Sequence, residues 1–135
     1  MAIGTTVFPT GIGMAATWSP TLIEEVGKAI AKEIRSQGAH ISYGPVLDLS
    51  RDPRWSRVEE TFGEDPVLSG RLGAAMVTGL GSGDLSREHA TIATLKHFLA
   101  YAVPEGGQNG NYASVGARDL HENFLPPFRE AIEAG

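Results

Sequence analysis

Along this chain, short apolar runs alternate with stretches in which apolar residues recur every three or four positions. Leu22, Ile23, Val26, Ile30 and Ile34 follow the second pattern, which predicts a helix with one apolar face. Ser19-Pro20 supplies its start, an N-cap followed by proline at the first helical position, and Gly38 supplies its stop. The β-branched run Thr5 to Phe8 ahead of it reads as a strand. A second unit opens with the apolar run Ala39 to Leu49, in which Pro45 predicts a strand that is irregular or ends early. Its helix is capped by Asp65 with Pro66 behind it, and carries Val67, Leu68, Leu72, Ala75 and Met76. Gly70, Gly73 and Gly79 weaken that helix by roughly 1 kcal/mol each against alanine, so close packing is the better reason for them. From Gly79 the segment GLGSGDLSREH reads as a loop. A third strand is expected at Thr91 to Phe98, then a polar loop, then a helix from about Gly116 to Ala134 that Pro126 and Pro127 break or kink.

Strands separated by helices imply an α/β fold with about three parallel βα units and functional loops at the carboxyl ends of the strands. Gly11 to Ala16, GIGMAA, matches a dinucleotide fingerprint, but the helix signals arrive only at Ser19-Pro20 and no acidic residue closes a second strand. It therefore reads as a tight turn.

Composition narrows the classes of function. With 135 residues, 41% hydrophobic and 20% charged, the chain is expected to be a globular unit with a real core. A net charge of -5 without a basic stripe argues against nucleic acid and anionic membranes as partners. The absence of cysteine removes thiol chemistry and cysteine-ligated zinc. No apolar run approaches the roughly 18 residues of a membrane span, and MAIGTTVFPTG has no signal-peptide pattern, so localisation is left open. No phosphate loop or Ser-His-Asp arrangement is present, and no cofactor is expected.

The stretch DLSRDPRWSRVEETFGEDP, Asp48 to Pro66, gathers three arginines, three aspartates and three glutamates around one tryptophan. It reads either as a solvated surface loop or as a loop held rigid for binding. Carboxylate candidates are Asp48, Asp52, Glu59, Glu60, Glu64, Asp65 and Glu105, and spacing does not select a pair for work across a scissile bond. Glu64 and Asp65 fit the start of a helix, while Glu59 and Glu60 fit pairing with Arg54 and Arg57. His40, His89, His97 and His121 lack paired ligand spacing, so no metal is expected. His97 differs from the others because Lys96-His97 ends a buried strand, where two polar side chains are costly unless they line a polar cavity.

Taken together, TVFPTGIGMAATWSP, PVLDLSRDPRWSRVEETFGEDP, ATLKHFLAY, PEGGQN and LPPFREAIEAG make the chain resemble the N-terminal catalytic barrel of glycoside hydrolase family 3, the β-glucosidase and β-xylosidase group. The resemblance spans essentially the whole chain, and the RDPRWxR to FGEDP block and the KHF triplet carry most of it. It implies a (β/α)8 TIM barrel, retention at the anomeric centre, and a terminal β-linked glucose or similar sugar as substrate. Residues 1–135 are then one segment of a single barrel domain. The resemblance further implies that Arg57, Lys96 and His97 bind sugar hydroxyls, that Trp55 and Arg54 brace the loop, and that nucleophile and acid/base lie beyond Gly135, leaving no catalytic carboxylate here. Ser56 stands where the family commonly has glycine. Family members are cytoplasmic, periplasmic or secreted.

The expected partner is a β-linked oligosaccharide or glycoside, and a chain of this extent with open sheet edges is expected to form homo-oligomers. Two rival readings remain at this stage: a non-catalytic truncated barrel that binds sugar or self-assembles, and an unrelated α/β domain holding a phosphorylated ligand.

Overall fold

The computed structural model describes residues 4–135. A short helix, α1 (Gly11–Ala15), leads into α2 (Pro20–Ser36). The Ser19 side chain accepts a hydrogen bond from Leu22 N at 3.3 Å, the expected cap, and Gly38 closes the helix at φ +78°. The expected tight turn at Gly11 to Ala16 is thus a helical turn. Gly11 is required there because a Cβ would lie 2.7 Å from the Glu60 carbonyl carbon. Thr5 to Phe8 form no strand, contrary to expectation. Instead Thr6 turns its backbone N–H and hydroxyl to the Glu33 carboxylate, at 2.8 and 2.6 Å.

The sheet is therefore two-stranded among the described residues. β1 (Ile41–Ser42) runs parallel to β2 (Ile92–Ala93), with Ile41 opposite Ile92 and Ser42 opposite Ala93. Pro45, which has no N–H to give, interrupts the ladder, and pairing resumes as a bridge between Val46 and Lys96. Leu47 N donates to Lys96 O at 2.7 Å just beyond it. This second contact keeps the residues after Leu47 in register with those after Lys96.

α3 (Pro66–Gly81) begins where Asp65 Oδ1 accepts from Leu68 N at 2.7 Å, and it continues two residues past the predicted start of the following loop. Its glycines serve packing: a Cβ at Gly79 would lie 2.9 Å from Gly27 Cα on α2, and one at Gly70 would lie 3.5 Å from Pro127 Cα. The last helical segment runs as α4 (Ala117–Asp119), a π-helical turn (Leu120–Phe124) and α5 (Leu125–Glu133). The disruption expected from Pro126 and Pro127 takes the form of that π turn, in which Leu125 N donates to Leu120 O. The prolines then occupy the first positions of α5, where their missing amide protons cost least.

Ile23, Ala31, Leu47, Leu72, Met76, Val77, Leu80 and Phe128 form the main core between α2, α3, α5 and the sheet. Leu49, Ala100 and Phe124 form a smaller one beneath the loops that follow the strands. These two clusters fix the ends of the strand segments from which the site is built.

Candidate functional site

The charged loop is held by ion pairs, two within it and one to α4. Arg51 bonds Asp119 at 2.9 Å, tying the loop to α4. Arg54 folds back on Asp52, with Nη2 to Oδ2 at 2.7 Å and its backbone N–H to Oδ1 at 2.9 Å. Arg57 engages Glu60 through two parallel bonds, Nε to Oε1 at 2.6 Å and Nη2 to Oε2 at 2.8 Å. The pairing of Glu60 with Arg57 follows expectation, whereas Arg54 takes Asp52 rather than Glu59. Asp52 is nearer, and the turn through Pro53 already brings the Arg54 amide onto its carboxylate. The loop is thus cross-linked by ion pairs while the Arg51 and Arg54 side chains stay exposed to solvent.

Trp55 is buried at 2% exposure, and its Nε1–H donates to Asn109 Oδ1 at 2.9 Å. The loop after β2 thereby closes against the charged loop. Gly107, at φ +71°, fits there because a Cβ would stand 2.6 Å from Arg54 Cβ. Tyr101 fills the space between, edge-on to Trp55 at 5.6 Å and tilted against His97 at 4.8 Å. Sequence reasoning missed Tyr101; an aromatic residue four positions after the Lys-His pair would have been its signal.

Asp48 and His97 leave the parallel bridge side by side at the carboxyl ends of both strand segments. Asp48 Oδ2 accepts from His97 N at 3.0 Å and lies 2.7 Å from His97 Nδ1. On the far side of the ring, Nε2 stands 3.2 Å from Arg57 Nη2. The Lys96–His97 peptide is cis. Hydrogen bonds from Arg57 hold the Glu60 carboxyl below the usual carboxylate range, and the charges of Arg57 and Lys96 add to the effect. Arg57 is in turn raised above the ordinary arginine value, chiefly by its bonds to Glu60 and to a lesser degree by Tyr101. Arg57, Lys96 and His97 thus gather around Glu60.

The other candidates lie elsewhere. Asp65 caps α3 and Glu64 is exposed beside it. Glu59 is exposed. Glu105 is exposed in a short 3-10 turn whose backbone is tied to Tyr112. His40, His89 and His121 are exposed and apart from the cluster. What the cluster offers chemically is the cationic donors of Arg57 and Lys96 beside the part-buried Glu60 carboxylate, an arrangement suited to a neutral ligand rich in hydroxyl groups.

The family model described as the glycosyl hydrolase family 3 N-terminal domain matches residues 1–135. A β-xylosidase from Formosa agariphila is 43% identical over 135 residues, covering 97% of this chain and 19% of the relative. A periplasmic β-glucosidase from Salmonella typhimurium is 33% identical over 130 residues, covering 96% of this chain and 17% of the relative. The crystal structure of a β-glucosidase from Listeria innocua in complex with glucose superposes with a TM-score of 0.93 at 38% identity, covering 97% of this chain and 19% of that one. The chain therefore spans about a fifth of the length of the proteins it matches.

Proposed function

The chain belongs to glycosyl hydrolase family 3, as part of its N-terminal domain, and from that membership we propose that it is a segment of a β-glycosidase acting on terminal β-linked sugars. In this reading residues 1–135 form part of one barrel domain, and Arg57, Lys96 and His97 line the pocket for the non-reducing-end sugar. The reaction proceeds with retention, and both catalytic carboxylates come from outside these residues.

The observation that carries the reading is the gathering of Arg57, Lys96 and His97 at the carboxyl ends of two parallel strand segments, where barrel-type sites are built. Each charged donor to a sugar hydroxyl contributes about 1.5–3 kcal/mol when water is excluded. Glucose titrated into the chain is expected to move the amide and side-chain resonances of these three residues and to saturate. Lys96→Met weakens that binding about tenfold. Titration shifts confined to other residues, or equal affinity in Lys96→Met, would remove the support for this pocket.

A further inference from the structure

We propose that Asp48 is a positioning residue: its buried side chain holds the His97 imidazole with the proton on Nδ1, and through the bare Nε2 seats the Arg57 guanidinium. The proton placement stands on geometry alone, while its consequence for sugar binding rests on the function proposed above.

The Asp48 side chain is fully buried, and Oδ2 receives the His97 backbone N–H at 3.0 Å. A backbone N–H only donates, so Oδ2 is committed as an acceptor. Nδ1 faces the same oxygen at 2.7 Å. Two lone pairs cannot share that approach, and Oδ2, already an acceptor for the backbone, accepts here as well. Nδ1 therefore carries a hydrogen. From the opposite side, Arg57 Nη2 lies 3.2 Å from Nε2, and a guanidinium also only donates. Nε2 must then present its lone pair. Two constraints from independent segments agree on one neutral tautomer.

The donors run in one direction, from Arg57 to His97 to Asp48. With the proton moved to Nε2, two N–H groups would face each other and the guanidinium would leave its place. Glu60 holds Arg57 by Nε and Nη2, so Asp48 and Glu60 together fix the plane of the guanidinium and the direction in which Nη1 points. Asp48 itself touches no sugar in this account.

Asp48 Oδ1 is buried and has no hydrogen-bond partner among the described residues. This makes Asp48→Asn the conservative variant. The His97 backbone N–H requires the amide oxygen at the Oδ2 position, and the amide nitrogen then falls at Oδ1, where no bond is lost. Asp48→Ala removes the acceptor altogether.

The test is long-range proton–nitrogen NMR of the imidazoles in the 135-residue chain at neutral pH, with the Arg57 Nε–H resonance as a ligand-free report on the guanidinium. The expected result is a His97 ring protonated on Nδ1 only, retained in Asp48→Asn and lost toward Nε2–H in Asp48→Ala, with the Arg57 resonance moving only in the latter. Should Asp48→Ala not fold, Asp48→Ser replaces it, since its short hydroxyl takes the backbone proton without reaching the ring. A wild-type ring protonated on Nε2, or a tautomer and Arg57 resonance indifferent to losing the side chain, overturns the proposal. Glucose titration separates the two readings. Binding about tenfold weaker in Asp48→Ala and restored in Asp48→Asn supports both. Binding equal in all three proteins refutes the link from Asp48 to the pocket. No binding even in the wild type refutes the sugar pocket, while the spectra still decide the role of Asp48.

Discussion

The indole N–H of Trp55 reaches 2.9 Å across to Asn109 Oδ1 and joins the charged loop to the loop that follows β2. The ring behind it is buried and meets Tyr101 edge-on. Trp55→Phe keeps most of the buried volume and loses the donor, which is expected to cost about 1 kcal/mol. Trp55→Ala leaves a cavity as well and is expected to cost about 3–5 kcal/mol. Urea denaturation of the two variants measures both, and near-equal losses would mean that the indole volume is not supporting the loops.

Gly27 and Gly79 let α2 and α3 approach until a Cβ on Gly79 would lie 2.9 Å from Gly27 Cα and 3.1 Å from Lys28 N. Backbone cannot move aside as a side chain can. Gly79→Ala is expected to lose about 1–3 kcal/mol to overpacking despite its better helix propensity. Gly81→Ala meets only Leu85 Cδ2 at 3.7 Å and is expected to be neutral or up to about 1 kcal/mol stabilising. Thermal unfolding of the pair reads the sign of each change.

These contrasts show where sequence reasoning reaches. The α2 boundaries were legible because Ser19, Pro20 and Gly38 act within one turn of the residues they cap. The packing role of Gly79 was legible because a glycine inside a helix needs a reason. Thr5 to Phe8 were not, since a β-branched run states a local preference and names no partner, and the Glu33 carboxylate took the Thr6 N–H. The cluster was legible in membership but not in wiring. Asp48 looked like a free carboxylate and lies under His97, forty-nine residues away, while Tyr101 carried no charge to draw notice. The prolines of α5 announced a disruption without saying that it would be a π turn.

Asp52 receives the Arg54 guanidinium and backbone N–H, which hold its carboxyl at about 2 against the usual 3.8. A depressed folded value means that this contribution to the loop is complete above 3.8 and is lost as pH falls through about 2. Carbon-detected titration of the Asp52 carboxyl is expected to show that low midpoint, and Arg54→Ala to return it toward 3.8. An ordinary midpoint in the wild type would mean that the pair does not persist in solution.

Ile41 and Ile92, opposite each other in the parallel pair, are 52% and 51% exposed, and Tyr43 is 80% exposed. A two-stranded sheet with open edges and such a face invites pairing with another chain. Sedimentation velocity of the isolated chain at micromolar concentration is expected to show dimers or larger species, shifted toward monomer by Ile41→Lys with Tyr43→Lys. A sharp monomer with cooperative unfolding would contradict this.

The isolated chain is expected to hydrolyse aryl β-glucosides at no more than a trace rate. A retaining mechanism needs two available carboxyl groups about 5–5.5 Å apart, and a positioned acid alone contributes about 10²–10⁴ in rate. Both carboxylates in the cluster are already engaged. Glu60 spends its two oxygens on Arg57, and Asp48 directs Oδ2 to the backbone and ring of His97 from a fully buried position. Releasing Glu60 to act on a substrate would break a bidentate pair and free Arg57 from its place, so catalysis by that group would undo the site that binds the sugar. Self-association does not help, because each copy brings the same engaged groups. A chromogenic β-glucoside assay of the purified chain beside Asp48→Asn and Glu60→Gln decides the matter. Robust turnover abolished by either substitution would show that a carboxylate of this cluster is catalytic, and the division of labour proposed here, with binding in these residues and chemistry elsewhere, would fall.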